Sequence, residues 1–460
     1  MKEMSAQEQY EKMINTPVWK LIATLAIPTV ISMLVTSLYN VVDTFFVSQL
    51  GTQASAATGI AFPIMTIIQA FGFTLGMGSG SLISINLGQK KNDEASSISS
   101  TAFFTAFFLG ILIAFSGHVF LSPILKFLGA SETILPFAHD YANFIFWGAP
   151  FMCASFVMNN DLRAEGKSFL SMNALALGAV MNIFLDPIFI FGDIYIFGVL
   201  PFHGFGLGIK GAAITTLITQ LFSFSVLLSY FINKKTICRI SIKLYTRKIS
   251  LLFKIISTGI PSLARQGMAS IAVILLNTMA GRYGGDSGIA AMSIVSKICM
   301  CIGSIMIGIG QGFTPVSGYN FGAKRYDRVK ESFFFLLISG FSIMSLFTVI
   351  CAVFAPNIIS VFRQDEEVIR IGTQALRFQI MGLPLHSFII GTNMLFQSTR
   401  HVHQATFLSI NRQGVYFIPS IIFLPLLFNL TGVEISQLIA DILSAVTAIP
   451  YVIWILKKLD

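Results

Sequence analysis

LIATLAIPTVISMLVTSLYNVVDTFFVSQL, residues 21–50, decides the fold of this chain. Asp43 is its only charged residue, and all of its other side chains are apolar or uncharged. A helix needs roughly 20 mainly apolar residues to cross a bilayer, so this segment predicts a transmembrane helix. A second lone acid, Asp186, lies in the similar segment MNIFLDPIFIF at residues 181–191. Because an acid inside a membrane span is costly, each is by default a candidate functional residue.

The composition of the whole chain agrees with this interpretation. Hydrophobic residues make up 54% of it, charged residues only 11%, and the mean hydropathy is +0.77, whereas a soluble domain is about 25% charged. The net charge of +9 does not indicate nucleic-acid binding, because the basic residues lie in short loops between apolar segments. The five cysteines have no metal-site spacing and are expected to act as small hydrophobic residues.

Apolar segments of spanning length recur along the chain and predict twelve transmembrane helices. They cover approximately residues 21–47, 55–85, 96–119, 136–159, 168–191, 208–232, 252–280, 287–317, 331–355, 370–397, 404–429 and 432–456.

The lysines and arginines predict how these helices are oriented. If the N-terminus is inside the cell, most basic residues fall in inside loops. The outside loops then hold only Lys126, Lys210, Arg282, Arg363 and Arg370. Since positive charge is enriched in cytoplasmic loops, we expect a multi-pass protein of the plasma or inner membrane with both termini in the cytoplasm.

The two halves of the chain resemble each other. Residues 75–95 align without gaps on residues 309–329. The identical pairs are Gly76/Gly310, Gly78/Gly312, Asn86/Asn320, Gly88/Gly322, Lys90/Lys324 and Asp93/Asp327. Similar spacings, such as Asn159 against Asn393, indicate a duplication. The prediction is an all-α membrane protein with two six-helix lobes related by a pseudo-two-fold axis: residues 1–232, a cytoplasmic linker at 233–251, and residues 252–460.

The two aspartates have no counterpart in the second half, so the acidic chemistry is expected in the first lobe only. At 1.5 Å per residue, Asp43 lies roughly 33 Å from the inner end of its helix and Asp186 roughly 27 Å from its own. Both helices run outward, so the two acids should lie at similar depth. They could therefore face one another across a single site.

The neighbours of the acids are also polar. Tyr39 and Asn40 share the helical face of Asp43, and Asn182 lies four residues before Asp186. Such an oxygen-rich site suits a proton, a sodium ion or a cationic drug. The alternatives are that Asp43 is interfacial and that Asp186 only hydrogen-bonds Asn182.

Other ionisable residues in the spans have plainer interpretations. Asp441 is expected to be structural, and His386 is expected to be a packing residue. The remaining basic residues are expected to reach the interface or to pair with acids; these are Arg265, Lys297, Arg377 and Arg412.

Over nearly its whole length the chain resembles the multidrug and toxic compound extrusion (MATE) family. The order and spacing of several motifs carry the resemblance. They are LAIPTVISMLVTSLYNVVDTFFVSQLG, GMGSGSLISINLGQKK, MNIFLDPIFIFG, GIKGAAITTLITQ, GIPSLARQG and GYNFGAKR.

The resemblance implies a transporter, not an enzyme, that exports organic cations in exchange for protons or sodium and needs no cofactor. The implied cation-coupling residues, which are also those of a sodium site, are Asp43, Asn182, Asp186 and Thr216. The residues assigned to the substrate are Tyr39, Asn40 and Asn159. The partners expected are drugs and the bilayer, with no nucleic acid, and the protein is expected to be a monomer.

One feature departs from part of the family. Relatives of the NorM-like branch carry acids in the seventh and tenth helices, and both spans lack Asp and Glu here. The chain is therefore more similar to the DinF- and MepA-like branch. The basic residues in the second half leave open an alternative function, that of a flippase for lipid-linked oligosaccharides with the same broad architecture.

Overall fold

The computed structural model describes residues 5–196 and 200–460, and nearly all of them are helical. The helices are α1 (Ala6–Asn15), α2 (Val18–Ser48), α3 (Thr52–Gly88), α4 (Asn92–Val119), α5 (Leu121–Phe127), α6 (Leu135–Ala164), α7 (Ser168–Ile190), α8 (Ile209–Ile232), α9 (Ile249–Gly322), α10 (Tyr326–Phe362), α11 (Glu366–Ile380), α12 (Leu383–Ser398), α13 (Val402–Ile410) and α14 (Ile418–Lys458). A 3-10 turn (Ile242–Leu244) lies in the linker, and a π-helical segment (Asn411–Phe417) joins α13 to α14.

The helices provide the twelve predicted spans. Within the described ranges, nine helical runs are long and apolar enough to cross a membrane. Two of these runs contain two spans each, because the backbone leaves the helical region at Gly285 (φ 59°) and at Asn429 (φ 50°). The remaining span is α11 followed by α12, which are separated at Met381 and Gly382. The predicted fold class is confirmed.

The chain forms two compact units. The first unit consists mainly of residues 31–83 and 91–259, and the second of residues 7–30, 84–90 and 260–460. The boundaries that the sequence suggested, at residues 232 and 252, stay a prediction.

The duplication is visible in the backbone of the turns. A residue with positive φ ends the helix at equivalent points of the two halves, 234 residues apart. The pairs are Gly51 (106°) with Gly285 (59°), Lys90 (61°) with Lys324 (60°), and Gly166 (77°) with Arg400 (63°). A left-handed residue is a common way to stop a helix, and three of these six are lysine or arginine rather than glycine.

The aligned asparagines also make equivalent hydrogen bonds. The Asn159 amide donates to the carbonyl of Ser171 at 3.3 Å, and the Asn393 amide donates to the carbonyl of Ala405 at 2.6 Å. Each bond joins a helix to the next one along the chain. The duplicated positions therefore carry the same structural role in both halves.

A short antiparallel hairpin, which the sequence did not predict, connects α7 to α8. Its strands are β1 (Asp193–Ile196) and β2 (Leu200–His203). Immediately after β2, the backbone N–H of Phe205 donates to the carbonyl of Ile188 at 2.8 Å, and two further bonds of this kind follow it. These bonds satisfy the last carbonyls of α7 and hold its C-terminal end against the start of α8.

The central linker is bound to the first unit along its length. Glu165, at the C-terminal end of α6, accepts the backbone N–H groups of Ile237 and Cys238, both at 2.8 Å. Hydroxyl groups of α4 pair with the linker backbone further on, for example Ser100 with the carbonyl of Arg239 at 2.8 Å. Burial, together with the negative charge of Glu165, raises the pKa of the Cys238 thiol well above its ordinary value.

Candidate functional site

Asp186 lies in a buried hydrogen-bonded group between α7 and α8. Its Oδ1 accepts from the Asn182 amide at 3.1 Å and from the Thr215 hydroxyl. Asn182, Asp186 and Thr215 are all fully buried. Asn182 and Asp186 are four residues apart in α7, so they share a helical face, while Thr215 reaches the same oxygen from α8.

Asp43 approaches this group from α2. Its carboxylate and that of Asp186 are close enough to repel one another when both are charged. Tyr39 interacts with both acids and lies near Thr216 of α8. Tyr141 of α6 interacts with Tyr39 and with both acids.

We call this set of side chains from four helices the acidic site. Its members are Tyr39, Asp43, Tyr141, Asn182, Asp186, Thr215 and Thr216.

The acidic site contains buried oxygens that lack partners. Within the described part of the chain, four have no hydrogen-bond partner: Asp43 Oδ1, Asn182 Oδ1, Asp186 Oδ2 and Thr216 Oγ1. No basic side chain among the described residues acts on either carboxylate. Buried polar atoms are normally paired, so each exception calls for an explanation. Carboxylate, amide and hydroxyl oxygens are the ligands that a hard cation prefers, and all of them can also accept a proton.

Asp161 is a buried acid of the same unit in which both carboxylate oxygens accept a hydrogen bond. It is fully buried near the C-terminal end of α6. Ser79 donates to its Oδ1 at 2.7 Å, and Ser99 donates to its Oδ2 at 2.6 Å. Burial of an aspartate therefore does not by itself mark a functional site in this protein. The unpartnered oxygens distinguish Asp43 and Asp186 from Asp161.

Sequence reasoning identified most of the acidic site but not all of it. It chose Thr216, whereas the hydroxyl that reaches Asp186 belongs to Thr215. Tyr141 was not singled out, although a lone tyrosine within an apolar span was a usable signal. The expected proximity of the two acids agrees with their electrostatic interaction.

Two other predicted substrate residues have a different status. Asn159 is buried, and its amide joins α6 to α7, so the structure does not bring it into the hydrogen-bonded group at Asp186. The side chain of Asn40 lies outside the described residues, although its position within α2 is described.

The second unit holds its own buried charges. Arg412 donates to Asp441 at 2.6 Å, which is one of the two arrangements that its sequence position left open. His386, expected to be a packing residue, lies 3.3 Å from the same carboxylate. Arg377 instead donates to the carbonyl of Ala352 at 3.3 Å.

A cluster of several strong metal ligands is not found in the described ranges. In residues 5–196 and 200–460, no group of three or more His, Cys, Asp or Glu side chains is arranged to hold a metal ion. Cation binding at the acidic site would therefore depend on two carboxylates with amide and hydroxyl oxygens.

Comparison with curated proteins gives relatives that share nearly the whole chain. The chain is 28% identical over 447 residues to the multidrug export protein MepA of Staphylococcus aureus strain MSSA476. This alignment covers 96% of the chain and 95% of MepA.

Solved structures share the fold over a similar length. The outward-facing conformation of a multidrug resistance MATE family transporter of the MOP superfamily matches with a TM-score of 0.90 and 26% identity, covering 100% of this chain and 99% of that one. A MOP superfamily transporter from Pyrococcus furiosus, described as having a binding pocket of reverse polarity, matches with a TM-score of 0.89 and 26% identity. That match covers 97% of this chain and 98% of the other.

The family profile named MatE matches the chain twice, at residues 28–188 and 261–422. The two matched segments begin 233 residues apart and cover corresponding spans of the two halves. The profile therefore confirms both the duplication and the resemblance carried by the motifs, and the chain belongs to the MATE family of multidrug and toxic compound extrusion transporters.

Proposed function

We propose that this protein exports organic cations, drugs among them, in exchange for protons or sodium ions. The observation that carries the proposal is the acidic site with its four unpartnered buried oxygens. Two carboxylates without a basic partner are costly inside a membrane unless a cation joins them. A binding function explains why the oxygens are left free. The name of the MepA relative, a multidrug export protein, supports the drug substrate.

The coupling role is assigned to Asp43, Asn182, Asp186 and Thr216, and Thr215 joins them because it orients Asp186. A proton or a sodium ion bound here relieves the repulsion between the two carboxylates. A cationic drug that needs the same negative charge competes with that ion. Exchange follows because each ligand binds best when the other is absent, which is the reciprocal coupling that antiport requires.

Tyr39 and Asn40 remain the proposed substrate contacts in this scheme. Tyr39 interacts with both acids, so a drug that reached the acids would meet its ring. Asn159 is the weakest of the three, since its amide already bonds to the backbone of α7.

The proposed topology has both termini in the cytoplasm, supported by the basic residues of the inside loops. Lys90, Lys324 and Arg400 form part of the turns that end α3, α9 and α12. The protein is proposed to work as a monomer. Labelling of single cysteines placed near residue 5 and residue 460, from inside and outside intact cells, tests the topology.

The experiment that tests the proposal is efflux of ethidium from cells that express Asp43→Asn or Asp186→Asn. Each change keeps the shape of the side chain and removes the charge. We expect both variants to lose most of the efflux at equal expression. Asp140→Asn is the matched control, because this aspartate is exposed at the outer end of α6. Undiminished efflux by both site variants would overturn the mechanism, and comparing a proton gradient with a sodium gradient identifies the ion.

A further inference from the structure

Three side chains of the second unit form a compact charged group, which we call the Asp441 triad. Arg412 donates from Nε to Asp441 Oδ1 at 2.6 Å, and its Nη2 lies 2.7 Å from His386 Nε2. His386 Nε2 is also 3.3 Å from Asp441 Oδ2. Gln437 donates to Asp441 Oδ1 at 3.0 Å. Asp441 and His386 are buried, while the Arg412 side chain is 22% exposed.

Two irregularities in the helices meet at this triad. The tenth span is interrupted between α11 and α12, and a Cβ added at Gly382 in the interruption would lie 2.4 Å from Asp441 Oδ2. The eleventh span contains the π-helical segment Asn411–Phe417, which carries Arg412. Broken spans and π-helical turns concentrate at binding sites of transporters because they bring backbone and side chains into positions that a regular helix does not.

The contacts of His386 define its protonation state. A guanidinium only donates, so the imidazole Nε2 that faces Arg412 must accept, and the ring proton is then on Nδ1. His386 Nδ1 is buried and has no partner among the described residues. The neutral His386 therefore accepts a hydrogen bond at Nε2, and the proton on its Nδ1 has no acceptor among the described residues.

Addition of a proton at Nε2 changes these contacts. The nitrogen becomes a donor, so it can no longer accept from Arg412, and the nearest acceptor is Asp441 Oδ2. Two cations then compete for one carboxylate. Since the Arg412 side chain is partly exposed and those of His386 and Asp441 are buried, Arg412 is the member that can move outward.

Few other titratable groups face the triad. Asp441 comes from α14, Arg412 from the π-helical segment and His386 from α12. The Cys299 thiol of α9 lies within electrostatic reach of Asp441 and Arg412, and Cys351 of α10 lies near Cys299. Among the described residues, the acid and the arginine are the charges that act on His386.

We propose that the Asp441 triad is a second proton-binding site, in which a proton taken from water binds His386 Nε2 and His386 displaces Arg412 from Asp441. This site lies in a different unit from the acidic site and uses none of its residues. A role of the triad in transport depends on the proposed antiport. Proton binding by the triad does not depend on it.

Proton binding is tested by nuclear magnetic resonance of the purified full-length protein with ¹⁵N-labelled histidine. The chain has six histidines, and His386→Gln identifies the resonances of this one. We expect His386 to titrate between about pH 5 and pH 8. The result is independent of whether the protein exports any dye.

Two variants should change this titration in opposite directions. Asp441→Asn removes the carboxylate that accepts from protonated His386, so the ratio of protonated to neutral His386 at a given pH should fall roughly tenfold or more. Arg412→Gln removes the competing cation, and the ratio should rise. The double variant with both changes leaves no unpaired charge, so it is the test if Asp441→Asn alone does not fold. Compared with Arg412→Gln, it should again lower the ratio of protonated to neutral His386.

The outcomes separate the two proposals. A His386 resonance that does not change between about pH 5 and pH 8, or a shift of the same sign in both single variants, overturns the triad as a proton site. In ethidium efflux, His386→Gln should flatten the pH dependence, while His403→Gln, at an exposed histidine of α13, should not. If efflux were absent altogether, the antiport proposal would fail, and the resonance experiment would still decide the triad.

Discussion

Asp186 in the first unit and Asp441 in the second are both buried carboxylates in membrane spans, and they are satisfied in opposite ways. Asp186 receives two neutral donors on Oδ1 and none on Oδ2. Asp441 receives Arg412 and Gln437 on Oδ1 and faces His386 on Oδ2. The first lacks a countercharge and the second already has one. This difference supports the proposed role of Asp186 in cation binding, whereas Asp441 already has a cationic partner in Arg412.

The same comparison shows what the duplication preserved. Asn159 and Asn393 make equivalent bonds in the two halves, and the turns of the two halves have residues with positive φ at equivalent positions. The buried acids do not repeat. The hydrogen bonds between neighbouring helices and the turns are therefore shared by the two halves, whereas the buried charged residues are specific to each half.

The largest effect on stability is expected for Asp441→Asn. This change leaves Arg412 in a mostly buried position without its carboxylate, which should lower the free energy of unfolding by about 3 kcal/mol. Thermal unfolding of the detergent-purified protein measures the effect.

Asp186→Asn is the matched variant for that measurement. Its carboxylate has no basic partner among the described residues, so its neutralisation should leave the stability unchanged or increase it while efflux is lost. Equal destabilisation by the two variants would break the contrast between the two carboxylates.

Glu165 extends the comparison to a fully partnered carboxylate outside the spans. It binds two backbone N–H groups of the linker and lies 3.1 Å from Lys167. We expect Glu165→Gln to weaken the attachment of the linker by about 2 kcal/mol, because hydrogen bonds to a buried charge are the stronger kind.

Cys238 reports the attachment of the linker. Burial and Glu165 raise the pKa of its thiol, so little thiolate is present at neutral pH and reaction with a maleimide should be slow. Glu165→Gln, in a chain whose other cysteines are alanine, should accelerate labelling severalfold. Glu94→Gln, at a side chain that is 60% exposed, serves as the control. An unchanged rate would mean that Glu165 does not hold the linker.

The sequence predicted the spans and the two acids because those features depend only on composition along the chain. Twenty apolar residues must be helical in a bilayer, and an acid among them is conspicuous whatever it contacts. The repeat was also readable, since the glycines and asparagines that set close packing are the same in both halves.

Other features depend on how neighbouring helices rotate and pack. Thr215 and Thr216 are adjacent, and only the packing of α8 on α7 decides which hydroxyl meets Asp186. The Asp441 triad joins residues of three spans through a π-helical turn and an interrupted helix, neither of which has a reliable sequence signal. The β1–β2 hairpin was missed because its strands have four residues each.

The smallest predicted effects on stability concern the two threonines of the acidic site, which should differ from each other. Thr215→Val removes a hydrogen bond to Asp186, so it should cost about 1 kcal/mol of stability. Thr216→Val removes a buried hydroxyl that has no partner among the described residues, so it should cost no stability. If Thr216 is a ligand of the coupling ion, its valine variant should instead need severalfold more of that ion for half-maximal ethidium efflux. Serine at either position restores the hydroxyl and serves as the control. Equal loss of stability in both valine variants would show that the free oxygens of the acidic site are not what distinguishes Asp186 from Asp441.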